Sequence, residues 1–249
     1  MFIRSIHTLL AVILSIPLMV GQLTITVESG IVSPGYNDVR APNSDTQQGS
    51  LFSLSGDFRE IKNPIYFRAE AMLTFNSKHT FELTAAPLVI ESKDFNNESE
   101  LLFENLSFTG NSIDGRYQFN TYRFSYRYRL LGREKFMLDL GGSVLVRDAS
   151  ISITQGGVAA ENTDLGFVPL ISLHTAYAFN PSLSIMLKGD ALVGPVGRAE
   201  DFFLGLRYAP LDHISFRLGY RIIEGGADVD QVYNFALFQF AAGGLVVQF

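Results

Sequence analysis

Apolar and polar residues alternate along most of the chain, which is the period-two pattern of β-strands whose two faces meet different surroundings. Between residues 122 and 130, every even position carries an aromatic or aliphatic side chain, and three odd positions carry arginine, at Arg123, Arg127 and Arg129. The same alternation predicts ten strands, at residues 23–33, 64–75, 79–91, 116–130, 135–153, 165–179, 183–195, 200–209, 213–223 and 233–249. Eight strands is the alternative, if one hairpin is counted in excess.

The connections between these strands alternate in length. Short turns fall at residues 76–78, 131–134, 180–182 and 210–212, and long connections at 34–63, 92–115, 154–164 and 224–232, with 196–199 as a shorter member of the long set. This alternation indicates antiparallel strands that run up and down, with all the short turns at one end.

The beginning of the chain has the pattern of a secretory signal peptide. Arg4 precedes an apolar run from Leu9 to Val20, which is too short for the roughly 20 apolar residues of a spanning helix. We therefore predict a signal peptide at residues 1–22 and one exported domain at residues 23–249. The absence of cysteine excludes disulfides, thiolate metal sites and a lipid-anchored cysteine.

Charge and composition narrow the class of protein. The formal net charge is −6 with scattered basic residues, so the chain is a poor candidate for binding nucleic acid. Aromatic residues make up 12% of the chain, glycine occurs 22 times, and the mean hydropathy is +0.18. That mixture is unusual for a soluble protein and typical of strands that hold one face in lipid.

The C-terminal strand alternates apolar residues and ends in an aromatic one, at Leu245, Val247 and Phe249. It resembles the assembly signal of Gram-negative outer-membrane β-barrels. The resemblance implies an all-β fold, a transmembrane antiparallel up-and-down β-barrel located in the outer membrane. It also implies three partners: outer-membrane lipids, lipopolysaccharide and, during biogenesis, the barrel-assembly machinery. A soluble β-sandwich, with its apolar face turned inward, is the alternative.

In a barrel whose apolar face meets lipid, the opposite face lines the lumen. The acids at those positions are Glu28, Glu70, Glu82, Asp139 and Asp190, and the bases are Arg68, Arg123, Arg127, Arg129, Arg147, Lys188, Arg207, Arg217 and Arg221. A ten-stranded lumen is only somewhat wider than one that side chains can fill. We therefore predict a salt-bridged interior and a structural or surface-interaction role. The excess of base over acid leaves a narrow, anion-preferring pore for small solutes as the alternative.

The long connections carry mostly acidic residues, as in the stretch from Asp94 to Glu104. Divalent cations that bridge to lipopolysaccharide are one interpretation, and solvated loops are the other. A surface enzyme is a third function, but the histidines after the signal are at residues 79, 174 and 213, and none is predicted at the upper rim. We therefore predict a protein without catalytic residues, cofactor or dedicated metal site.

Overall fold

The computed structural model describes residues 21–62, 64–96, 100–110 and 112–249. Residues 1–20 of the predicted signal peptide lie outside this part of the chain, and Gly21 and Gln22 already belong to the first strand. No helix in the described chain is long and apolar enough to cross a membrane.

The described residues form seventeen strands, most of them long. In chain order they are β1 (Gly21–Arg40), β2 (Asn43–Ser44), β3 (Gln47–Gln48), β4 (Phe52–Ser53), β5 (Phe58–Lys62), β6 (Ile65–Phe75), β7 (His79–Ala86), β8 (Val89–Phe95), β9 (Leu101–Phe103), β10 (Leu106–Phe108), β11 (Asp114–Gly132), β12 (Phe136–Gln155), β13 (Val158–Asn180), β14 (Leu183–Gly194), β15 (Gly197–Tyr208), β16 (Ile214–Val229) and β17 (Val232–Gln248).

The long strands close into an antiparallel barrel of ten strands, in which β7 and β8 count as one. This confirms the ten-strand prediction over the eight-strand alternative. Neighbouring strands pair in chain order, and β17 returns to β1 with Thr24 opposite Gln248. β7 and β8 both pair with β11 and form one barrel strand, interrupted at Pro87 and Leu88. Proline has no backbone N–H to donate, which explains the break in the ladder.

The two ends of the barrel differ, and we call the end with the short turns the lower end. At the upper end, the predictions of loops at 154–164 and 224–232 are wrong. β12 and β13 run on to a tight turn at Gly156 and Gly157, and β16 and β17 run on to a turn at residues 230–231. Above a membrane the outward face of a strand meets water instead of lipid, so charged residues there do not signal a loop.

Two long connections at the upper end fold into a cap, which consists of the described residues 41–62 and 100–110. Backbone bonds join its halves, from Ser50 N to Leu102 O (2.8 Å) and from Glu104 N to Ala41 O (2.9 Å). Its apolar side chains pack on inward-facing residues of the upper wall, in a core that includes Phe52, Leu54, Phe58, Phe103, Phe108, Tyr117, Ile151 and Ile153. The cap therefore covers part of the upper barrel opening.

Below the upper rim, the outer surface of the barrel is apolar. Leu218 is 72% exposed and Phe167 70% exposed, and both point away from the lumen. On β11 the apolar outward positions run from Leu130 to Tyr122, after which Asn120 and Gln118 are polar. Such a band matches the apolar height of a membrane-spanning barrel.

Candidate functional site in the barrel lumen

A layer of charged side chains crosses the lumen at the height of the apolar band. We call it the charged layer; its members are Glu28, Arg68, Glu70, Glu82, Arg123, Arg127, Lys188, Asp190, Asp201, Arg217 and Arg221. None of these residues is more than 6% exposed. They come from β1, β6, β7, β11, β14, β15 and β16, because the period of two turns alternate residues of each strand inward. The layer has one more base than acid.

The carboxylate of Asp201 on β15 forms salt bridges with three arginines. It accepts from Arg221 Nη1 at 2.6 Å, and from Arg68 Nη1 and Arg123 Nη1 at 3.0 Å each. The sequence analysis did not include Asp201 among the lumenal acids. The signal was available, since the alternation that directs Arg207 of β15 inward directs Asp201 inward as well.

Glu28 and Glu70 connect the same arginines to the other side of the lumen. Glu28 is paired with Arg217 Nη2 at 2.6 Å and Arg221 Nη2 at 2.9 Å, and it also accepts from the Tyr66 hydroxyl at 2.5 Å. Glu70 is paired with Arg68 Nε at 2.7 Å and with Lys188 and Arg217 at 3.0 Å each. Each carboxylate therefore has two or more cationic partners, which offsets the cost of burying its charge.

The remaining pairs of the layer involve β7, β11 and β14. Glu82 is paired with Arg127 and, at 2.5 Å, with Lys188 Nζ. Asp190 accepts from Arg123 Nη1 at 2.7 Å, and the Ser143 hydroxyl donates to it at 2.8 Å. Because Lys188 binds both Glu70 and Glu82, the pairs join into one continuous network.

Three predicted lumenal arginines lie outside the charged layer. Arg129 forms a two-bond pair with Asp139 (2.7 and 3.0 Å) toward the lower end. Arg207 donates to Ser215 and Gln248, which are neutral. Arg147 lies above the layer and pairs with Asp164.

The predicted assembly residues Leu245, Val247 and Phe249 lie on or beyond the outward face of β17, with Leu245 and Phe249 exposed.

Aromatic packing fills the lumen beside the network. Phe203 of β15 is fully buried, and the guanidinium carbons of Arg217 and Arg221 each lie 5.2 Å from its ring centroid. Guanidinium groups over an aromatic face gain a favourable electrostatic contact. Apolar and charged side chains together occupy the centre of the barrel.

Above the charged layer the lumen widens into a cavity of about 510 Å³, which we call the vestibule. Arg123 and Asp201 of the layer contribute to its floor, and Leu145, Leu170 and Phe238 contribute to its walls. The sequence analysis did not predict this space, because the residues that line it come from several strands that only the closed barrel brings together.

The histidines do not form a catalytic group in the described chain. His79 hydrogen-bonds the Tyr126 hydroxyl (2.9 Å) on the outer surface near the lower end, and His213 lies in a lower turn. His174 is in mid-strand, opposite Asp139 and Lys188. Within the described residues, no three His, Asp or Glu side chains come together in a way that could hold a metal ion.

Two ion pairs at the upper end, beyond the apolar band, perturb the acid–base behaviour of their members. A hydrogen bond from Lys62 at 2.8 Å lowers the pKa of Glu91 from its ordinary value of 4.5. A hydrogen bond to Asp114 at 2.6 Å raises the pKa of Lys93. The first pair joins β5 to β8 and the second joins β8 to β11; both are at least partly solvent-exposed and contribute only weakly to stability.

Comparison with known proteins identifies the fold. No protein-family model and no curated protein matches the chain. The outer membrane protease OmpT from Escherichia coli is similar in structure, with a TM-score of 0.51 at 9% identity over 92% of this chain and 97% of that one. An outer membrane channel from Pseudomonas putida F1 (TM-score 0.43, 10% identity, 94% and 97% covered) and Ail of Yersinia pestis (0.37, 12%, 93% and 100%) align more loosely.

These similar structures are outer-membrane β-barrels of Gram-negative bacteria. The similarity to OmpT shows that the chain has the fold of an outer-membrane β-barrel. In such barrels the short turns face the periplasm and the longer connections face the outside of the cell.

Proposed function

We propose that this protein is a non-enzymatic outer-membrane barrel with a closed lumen, and that it acts at the extracellular surface instead of conducting solutes. The observation that carries the proposal is the charged layer, in which every acid is paired with a base at the height of the membrane. The upper end, with its cap and vestibule, is the part of the molecule that faces outside and is free to meet other molecules.

The charged layer argues against the anion-preferring pore. A selective pore presents a ring of like charges or dipoles to the ion that passes. Here the bases are neutralised by carboxylates at 2.5–3.0 Å, and an ion would have to separate pairs such as Arg221 and Asp201 (2.6 Å). Ion pairs separated in a low-dielectric interior cost several kcal/mol each, by order of magnitude.

Single-channel recording in a planar bilayer tests this proposal. The refolded mature protein is expected to give no steady conductance, with folding checked by the shift in gel mobility on heating. The double variant Glu28→Ala, Arg221→Ala removes an acid and a base together, so it opens space without changing the charge of the layer, and it should produce conductance steps. Steady, anion-preferring steps from the unaltered protein would refute the closed lumen.

The partners that fit this proposal are outer-membrane lipids, lipopolysaccharide and the assembly machinery. Acidic residues such as Asp45, Glu100 and Asp230 lie at the extracellular end. Divalent cations would bridge these single carboxylates to phosphates of lipopolysaccharide. Binding of lipopolysaccharide to the protein in nanodiscs should then weaken when Mg²⁺ is chelated, and binding that is indifferent to chelation would count against the bridge.

A further inference from the structure

The walls of the vestibule are mostly apolar. On one side the wall contains Leu145 of β12 and Leu170 of the neighbouring β13. On the other side it contains Ile223 of β16 and Phe238 of β17. Its volume of about 510 Å³ lies within the roughly 300–1,000 Å³ of small-molecule sites, which combine apolar walls with a few polar groups. The shape and chemistry of the vestibule are therefore those of a ligand pocket.

The floor of the vestibule is closed and polar, but its charges are already engaged. Arg123 is bound to Asp190 at 2.7 Å and to Asp201 at 3.0 Å, and Asp201 has two further arginine partners. These residues cannot take a ligand group without losing a buried partner. The charged residues that line the vestibule are three bases and four acids, so an anion there depends on a local contact with one base and not on a positive balance of the whole lining: Arg123, Arg147, Arg198, Asp164, Glu200, Asp201 and Glu224.

Arg147 on the wall differs from the arginines of the floor. Its one ion-pair partner within the described chain is Asp164, whose side chain is 47% exposed, so the pair is weak compared with the buried pairs below it. The buried Nε of Arg147 has no hydrogen-bond partner among the described residues. A guanidinium with unused donors can bind a carboxylate through two parallel hydrogen bonds.

From these observations we infer that the vestibule binds a small organic anion with an apolar body, which enters from outside the cell. The apolar part contacts Leu145, Leu170 and Phe238, and the anionic group pairs with the guanidinium of Arg147. This inference rests on the proposed closed lumen, because the charged layer is what makes the vestibule a pocket with a floor instead of a section of a channel.

The probe is 2-naphthoate, a flat apolar carboxylate small enough for the vestibule, measured by isothermal titration calorimetry with the mature protein in nanodiscs. Empty nanodiscs give the background from lipid. A ligand of this size should bind with a Kd on the order of 0.1 mM. The neutral isostere 2-naphthamide should bind about tenfold more weakly, because it cannot form the charged pair.

Two variants and one control locate the site. Arg147→Gln should weaken naphthoate binding about tenfold and leave naphthamide binding unchanged. Ala199→Phe, at a position on β15 that lines the vestibule away from the β12 position of Arg147, should fill the vestibule and weaken both compounds. Arg207→Gln is the matched control, since it removes a lumenal arginine from below the charged layer and should change neither affinity.

The outcomes separate the inference from the proposed function. Naphthoate binding that depends on Arg147 and on space at Ala199 supports the inference. The inference is overturned if saturable binding is absent, or if Arg147→Gln and Ala199→Phe leave binding unaltered. This holds even if the barrel gives no conductance in the planar bilayer. Passage of naphthoate into sealed proteoliposomes would instead overturn the closed lumen, whatever the affinities are.

Discussion

Replacing Asp201 with asparagine should destabilise the barrel more than any comparable change at its surface. The substitution keeps the size of the side chain and removes the one negative charge shared by Arg68, Arg123 and Arg221. The side chain of Asp201 is 4% exposed, so water cannot replace the lost charge. The charged layer would then carry two more bases than acids.

The magnitude follows from the partners that remain. Removing one member of a buried ion pair costs about 3–5 kcal/mol. Here each arginine retains a second carboxylate, namely Glu70 for Arg68, Asp190 for Arg123 and Glu28 for Arg221. We therefore expect the lower end of that range, a loss of about 3 kcal/mol in the free energy of unfolding.

Urea unfolding in lipid vesicles measures this difference, with tyrosine fluorescence as the signal because the chain has ten tyrosines and no tryptophan. Asp164→Asn is the matched control, since its 47% exposed side chain forms a pair in the same lumen and should cost less than about 1 kcal/mol. If Asp201→Asn unfolds within about 1 kcal/mol of the unaltered protein at an equal denaturant slope, the buried network does not stabilise the barrel as described.

Three further predictions concern other parts of the molecule. Arg127→Ala should cost about 1–3 kcal/mol in the same unfolding assay, because Glu82 loses one charged partner and keeps another; an unchanged midpoint would contradict this. Phe249→Ala should lower the amount of folded protein in the outer membrane of intact cells. Equal amounts of the variant and the unaltered protein would show that the assembly machinery does not recognise this residue. Lys62→Gln should raise the pKa of Glu91 toward 4.5 in a carboxyl NMR titration. Because the folded pKa is depressed, the contribution of that pair to stability is present above about pH 4.5 and is lost as the pH falls through the folded pKa.

The alternation of residues was sufficient to predict the barrel and most of its lumen. Arg123 and Arg127 alternate with tyrosine and phenylalanine, so their direction follows from the two-residue period once the apolar face is assigned to lipid. The partners of each arginine could not be predicted in the same way. Arg68 and Asp201 are 133 positions apart, and their contact depends on the register of several intervening strands.

The upper end was harder to predict, for a physical reason. The segment from Gln155 to Asp164 contains two glycines and charged residues, which suggested a loop, yet it forms the tip of a long hairpin. Without lipid on one side, the sequence of an extramembrane strand has no need to alternate. The cap is also a tertiary feature, since Phe52 and Phe103 meet only when two separate connections fold together, with ring centroids 6.0 Å apart.

The pairing of Glu28 with Arg221 constrains how the protein reaches the membrane. The two residues are separated by 193 positions, so the acid of β1 obtains this partner only when β16 has joined the sheet. A partly assembled sheet in the bilayer would hold an uncompensated carboxylate in an apolar medium, which is strongly unfavourable. Insertion is therefore expected to be concerted and slow, as for other folds dominated by distant contacts, with no stable half-barrel along the way.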